Sequence, residues 1–295
     1  MRVNPNTLPD LLVSLQRIAV DESTVLKQMA SGKRIEQPSD DPAGMAALVQ
    51  LQGTDEDTQQ YLRNVSAVRS SLQVSDSTLS SATLELQRAL ALGVEGGTGT
   101  LNDSNRNCVA LEIEGISSDM LDLANSSLSG TYLFAGTAST QKPFTVSVDG
   151  SIKYQGSSGT NQIQVGEGLW IGTGVSGQKI FGGDGHNVFD ALRGLADAVR
   201  SGGDVSAALV TLHASADQLS AARVNYGSGL NQLDSAELVM NERHIQLAQQ
   251  QTELAGADLA EVATHLSSAE TARNALLATI GKSNAANLFD YLSNG

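Results

Sequence analysis

Between Tyr226 and Ile280 the chain repeats at alternating steps of four and three, as Tyr226, Leu230, Leu233, Glu237, Met240, His244, Leu247, Gln251 and Leu254. Leu233, Met240, Leu247 and Leu254 recur every seven residues, the spacing of a helix that buries one narrow stripe against another helix. Past Gly256 the stripe moves by one position and resumes as Leu259, Val262, Leu266, Ala269, Arg273, Leu276 and Ile280. No proline interrupts it. The pattern predicts one helix about 80 Å long, at about 1.5 Å per residue, too long for a compact globular core. Such a helix needs a partner of similar length.

A second long series supplies one. From Pro42 to Gly93 the seam reads Leu48, Leu51, Leu62, Val65, Leu72, Leu79, Leu86 and Leu90, with Thr58, Arg69, Asp76 and Thr83 at intervening positions. The glycine-rich stretch Gly93–Thr100 is expected to end it, and the two long helices to pair. Ahead of them, Leu8, Leu15, Glu22 and Met29 form one seven-residue series, and Leu11, Ile18 and Val25 another. A glutamate at a buried seam position could set register in an assembly, but Glu22 is read instead as lying at a frayed or wet part of that seam. Ser31-Gly32 suits a helix C-cap. In the loop that follows, Ser39, Asp40 and Asp41 are potential caps, and Pro42 suits a first helical turn. A third helix is expected with Val109, Ile113, Ile116, Met120 and Leu123 on one face and Asp103 or Ser104 as its cap.

From Gly130 the texture changes. Thr145–Val148, Asp149-Gly150 and Ile152–Tyr154 read as a hairpin with an Asp-Gly turn, and further strands are expected at Gln162–Val165 and Leu169–Gly172. Helices resume at Val188–Arg200 and near Val205–Val224. The fold class is therefore mainly α: a long antiparallel helical rod with terminal coiled-coil segments and a small β-rich insert. The expected divisions are a terminal coiled-coil layer (1–41 and 260–295), a helical rod (42–130 and 186–259) and an outer insert (131–185).

Chemistry finds little purchase here. Aromatic residues make up 4% of the chain against 40% hydrophobic in total, a thin aromatic payload for a tightly folded enzyme. A net charge of −14 argues against nucleic acid, whose backbone demands a basic face. The single cysteine, Cys108, cannot form an intrachain disulfide. No apolar run approaches the roughly 18 residues needed to span a membrane, and the N-terminal residues do not read as a cleavable secretion signal. Gly93–Thr100 lacks the lysine and hydroxyl ending of a phosphate-cradling loop and follows a helix. Gly182–Phe189 echoes a calcium-binding repeat only once, with Asn187 where a carboxylate belongs, and reads as a turn. His186, His213, His244 and His265 are scattered, so no zinc constellation is expected. Neither catalytic residues, a metal nor a cofactor is expected. An enzyme acting on carbohydrate through an acidic pair is the distant alternative, without a candidate pair.

The stretch Ser31–Gly44, SGKRIEQPSDDPAG, resembles the N-terminal signature of the bacterial flagellin superfamily. The resemblance continues through Asn64-Val65, the spacing of Leu72, Asp76 and Leu79, the run Gly229–Asp234, and Ala257–Ile280. Gly130–Thr137 followed by Pro143-Phe144, and the ending Asn287–Leu292, are similar to the hook-associated members at the hook–filament junction rather than to filament flagellins. The resemblance implies a structural axial protein of the flagellum that templates flagellin assembly; a filament flagellin with a small outer domain is the alternative. It implies export through the flagellar type III route to an extracellular position, without a cleaved signal. The implied partners are a hook-side junction protein, flagellin, other copies in a ring, and a cytoplasmic export chaperone at the C-terminal helix. An assembly seam is expected at Leu8, Leu11, Leu15, Ile18, Val25, Met29, Leu259, Val262, Leu266, Leu276 and Ile280. Arg34, Asp40 and Asp41 are expected at subunit contacts, with helix capping as their alternative role.

Overall fold

Glycine and Asx residues between the apolar series decide where helices stop. The computed structural model describes residues 7–182 and 187–293, with side chains over 9–182 and 187–282. In chain order the elements are α1 (Thr7–Ser31), α2 (Pro42–Gly96), α3 (Asp103–Ala124), β1 (Ser127–Leu128), β2 (Thr131–Tyr132), β3 (Phe144–Val146), β4 (Ile152–Tyr154), β5 (Gln162–Gly166), β6 (Leu169–Gly172), α4 (Gly177–Phe181), α5 (Val188–Ser201), α6 (Ser206–Ala255) and α7 (Leu259–Ser293). The protein is mainly α, with three small antiparallel hairpins among the described residues. It divides into two compact units. One comprises the described residues up to Glu56 with those from His244 onward; the other is Asp57–Arg243. The expected turn around Asp184-Gly185 and His186 lies outside the described residues.

In the first unit α1 packs against α7. Gly32 ends α1 as expected: its φ is +67° and its N–H donates to Gln28 O at 2.8 Å, a left-handed C-cap that a Cβ disfavours. The single C-terminal helix expected from Tyr226 to Ile280 is instead two helices, interrupted at Gly256–Asp258. Gly256 forms an isolated antiparallel bridge with Lys33. Ala257 N–H donates to Gly32 O at 2.9 Å, and Asp258 Oδ1 accepts from the N–H groups of Ala260 (2.9 Å) and Glu261 (3.3 Å). Backbone groups from a distant segment thus replace the helical bonds, and an N-cap restarts the helix. The one-position shift of the seam at Gly256 is the mark of this break. At its other end α6 begins at Ser206, absorbing the separate helix expected near Val205–Val224. Its buried line continues seamlessly, as Leu212, Leu219, Tyr226 and Leu233.

In the second unit α2 and α6 run antiparallel, as their ion pairs show. Arg223 Nε meets Asp76 Oδ1 at 3.1 Å, and Arg69 reaches both Asp234 and Glu237. These polar seam residues offer opposite charges across the pair, and a one-heptad slip separates them and is disfavoured. α3 packs on α5, and Asn102 caps α3 by accepting from Asn105 N–H at 2.8 Å. The cap is thus one residue earlier than Asp103. The glycine stretch does not stop α2 at Gly93 either. A Cβ on Gly93 would lie 2.8 Å from Leu209 Cδ2, and one on Gly96 2.7 Å from Val199. These glycines allow close packing, and α2 runs on to Gly96.

The β3–β4 hairpin has the expected Asp149-Gly150 turn, with Gly150 at φ +77° and Phe144 paired with Tyr154. β5 and β6 match their expected ranges within one residue. The β1–β2 hairpin and α4 are too short for a periodicity signal and were not expected. The insert is anchored by aromatic packing. Phe181 meets Phe134, Phe144 and Phe189 at ring-centroid distances of 5.4, 5.6 and 6.3 Å. Phe144 also meets Tyr154 at 5.1 Å. A chain poor in aromatics therefore concentrates four of its five phenylalanines at one point.

Candidate assembly surface

The candidate surface lies in the first unit, on α1, α7 and the loop from Gly32 to Asp41. Leu11, Leu15, Ile18 and Val25 on α1, and Leu266, Leu276 and Ile280 on α7, are half-buried. Val262 alone is buried among the described residues of the two helices, at 7% exposure. Met29 and Leu259 are exposed, at 49% and 55%. Leu8 lies in α1, with its side chain outside the described residues. Within one chain, then, the pair leaves its apolar stripe partly uncovered, short of the burial a core helix reaches.

Two features of this surface escaped the sequence reading. Glu22 is not at a wet stretch of the seam: its carboxylate accepts from Arg273 Nη1 at 2.9 Å (Oε1) and 2.8 Å (Oε2), and the Glu22 side chain is only 13% exposed. The signal was present as opposite charges at seam positions of two separate series. The other is a second stripe on α1. Leu12, Val13, Val20 and Leu26 are exposed and follow heptad lines adjacent to the seam, as Leu12, Ala19 and Leu26 beside Val13 and Val20.

Two grooves flank the loop. One, of about 750 Å³, is lined by Ile35, Met45, Leu48, Ala248, Gln251 and Ala255 among others. The other, of about 600 Å³, opens between α1 and α7 beside Ile18, Val25, Val262, His265 and Ala269. Both are lined by apolar and polar side chains together, a lining suited to protein contact.

The loop itself is held by the residues singled out from sequence. Arg34 N–H donates to Ala255 O at 2.7 Å, and its guanidinium donates to Leu254 O at 3.0 Å and meets Asp41 Oδ2 at 3.4 Å. Asp41 Oδ1 accepts from Gly44 N–H at 2.9 Å, N-capping α2. Asp40 Oδ2 accepts from the N–H groups of Glu36 (3.0 Å) and Gln37 (2.9 Å). Ile35, at 1% exposure, plugs the turn. Within the chain these three charged residues shape the loop.

The same bonds set a pH dependence. Backbone N–H donors to Asp40 hold its carboxyl below the ordinary value, and the Gly44 N–H, aided by Arg34, does so for Asp41. A folded-state pKa below the unfolded one contributes stability above the unfolded value, and that stability is lost as pH falls through the folded value. Amide-exchange protection of Gln37 and Gly44 is therefore expected to hold at neutral pH and to fall only below the ordinary carboxylate range. In Asp41→Asn, Gly44 protection should become insensitive to pH across that window.

Comparison with known proteins places these elements among relatives. The family model described as "Bacterial flagellin N-terminal helical region" matches residues 11–139. The flagellar hook-associated protein 3 of Salmonella typhimurium is 32% identical over 156 residues, covering 52% of this chain and 48% of that protein. This chain thus spans about half the length of that relative. The protein of the same name from Escherichia coli is 27% identical over 258 residues, covering 79% of this chain and 80% of the relative. The crystal structure of the flagellar junction protein FlgL from Legionella pneumophila aligns with a TM-score of 0.61 at 14% identity, over 71% of this chain and 99% of that one. That last likeness concerns the fold.

Proposed function

We propose, from the family-model match over residues 11–139 and the likeness to hook-associated relatives, that this chain is a member of the bacterial flagellin superfamily and forms the structural junction between hook and filament of a bacterial flagellum. The observation that carries the reading is the half-covered seam of α1 and α7. Apolar stripes that one chain leaves open are completed by neighbours, and terminal segments of this kind order as those neighbours supply surface. In the assembled ring, copies of this chain pack through α1 and α7, with a hook-side junction protein on one side and flagellin on the other. Arg34, Asp40 and Asp41, while shaping their loop, hold the flanking grooves open to the adjacent subunit. On this reading the chain has a structural and not a catalytic task. It reaches the extracellular tip through the flagellar type III route, with an export chaperone on its C-terminal helix. No helix among the described residues is long and apolar enough to cross a membrane.

Cells lacking the gene test this. Electron microscopy is expected to show bare hooks while intact flagellin accumulates in the medium, because export continues without the adaptor. Bare hooks with no flagellin in the medium would favour a filament subunit instead. Normal attached filaments would overturn the proposal.

A further inference from the structure

The seams of α1 and α7 are built from residues that do little to choose a partner. Leucine, valine, isoleucine and alanine at seven-residue spacing pack nearly as well on one such helix as on another. One position on each helix departs from this rule, and the two departures meet. Glu22 gives both carboxylate oxygens to Arg273 Nη1, at 2.9 and 2.8 Å, with the Glu22 side chain only 13% exposed. Wherever α1 lies, its seam must therefore bring a cation to Glu22.

We infer that Glu22, answered by Arg273, is the specificity determinant of helix pairing, admitting α7 opposite α1 and rejecting a second α1. A second α1 presents no cation along its seam, which reads Leu8, Leu11, Leu15, Ile18, Val25 and Met29 apart from Glu22 itself. Pairing two such helices strands a carboxylate on each. Arg273 itself is 41% exposed and stays hydrated without a partner, so the selection acts through Glu22. A slip of one heptad fails for the same reason, since it brings Leu266 or Ile280 to the place of Arg273. The cost falls on Glu22, whose side chain is 13% exposed against 41% for Arg273: without a cation its carboxylate keeps its desolvation uncompensated. Correct pairing satisfies Glu22, and a second α1 or an α7 slipped by one heptad leaves it without a cation. This is how a single polar seam position selects partner and register in coiled coils at little cost to the correct pair. The inference stands on the α1–α7 contact itself and not on the junction reading, so either can fail without the other.

The test uses the full chain carrying Cys108→Ser and Val25→Cys, so that the only thiol reports on the α1 seam. A short bismaleimide converts contact between two α1 helices into a covalent dimer. The parent is expected to stay monomeric on a denaturing gel, because α7 occupies the seam. Adding Glu22→Leu makes the seam uniformly apolar, and dimer yield is expected to rise about tenfold or more, in line with removal of a charge penalty. Adding Glu22→Arg together with Arg273→Glu restores complementarity and should return the yield to that of the parent. Circular dichroism should show equal helix content in all three. Equal dimer yield for Glu22→Leu and the parent would overturn the inference. So would a charge-swapped variant that dimerises as strongly as Glu22→Leu.

Discussion

Replacing Phe181 with alanine is expected to destabilise the Asp57–Arg243 unit by about 3–5 kcal/mol, the usual cost of deleting a buried aromatic ring. Phe181 is fully buried and touches Phe134, Phe144 and Phe189. It links α4 and the insert to α5, so its removal opens a cavity where hairpin, short helix and long helix meet. Little else can fill the space, because the neighbouring rings are fixed by their own contacts: Phe144 N–H donates to Asn125 Oδ1 at 2.9 Å, and Phe134 O accepts from Tyr154 Oη at 3.0 Å. For a unit of this size the melting temperature should fall by roughly 6–20 °C. Differential scanning calorimetry of the purified chain reads this directly. Val148→Ala is the control: Val148 projects fully into solvent, and its truncation should leave the transition within the spread of ordinary surface changes. Equal melting of Phe181→Ala and the control would mean that the aromatic cluster is incidental to stability.

The second large effect lies on the other unit and is functional. Leu266→Asp, or Leu15→Asp, is expected to abolish attachment of filaments to hooks while leaving the melting transition of the Asp57–Arg243 unit nearly unchanged. Both side chains are half-buried on the α1–α7 seam, so a carboxylate there stays partly hydrated in the isolated chain and costs little. In an assembly the remaining surface is covered by a neighbour, and the same carboxylate must then be buried without a cation, a penalty of several kcal/mol. Electron microscopy of cells expressing each variant, paired with calorimetry of the purified proteins, separates the two outcomes. A normal filament on Leu266→Asp cells would remove the seam from the assembly surface. A collapse of the Asp57–Arg243 transition would make the seam part of an ordinary folding core.

Periodicity alone was sufficient for the presence of the long helices, though not for their ends, and for the hairpins with Asp-Gly or alternating patterns. Gly32 ends α1, Pro42 opens α2, and Asp149-Gly150 turns β3 into β4 because each of these acts through its own backbone, with no distant partner. The α1 and α7 seams were legible for the same reason, since a seven-residue apolar repeat is a local property. The family signature at Ser31–Gly44 was equally readable, and it coincides with the loop that Arg34, Asp40 and Asp41 shape.

Only the tertiary structure decided the rest, and in each case the deciding partner is remote in sequence. The C-terminal helix breaks at Gly256 because Gly32 O and Arg34 N–H supply hydrogen bonds from more than 200 residues away. Gly93 does not break α2 because Leu195 and Leu209 need its missing Cβ. Glu22 reads as a seam defect until Arg273 is placed against it. The few phenylalanines look scattered until Phe134, Phe144, Phe181 and Phe189 converge. A sequence determines which helices form and which stripe each must bury, because propensity and periodicity are short-ranged. Which glycine is a stop and which a packing contact depends on what the fold brings beside it, and so does which charge is a flaw and which a partner.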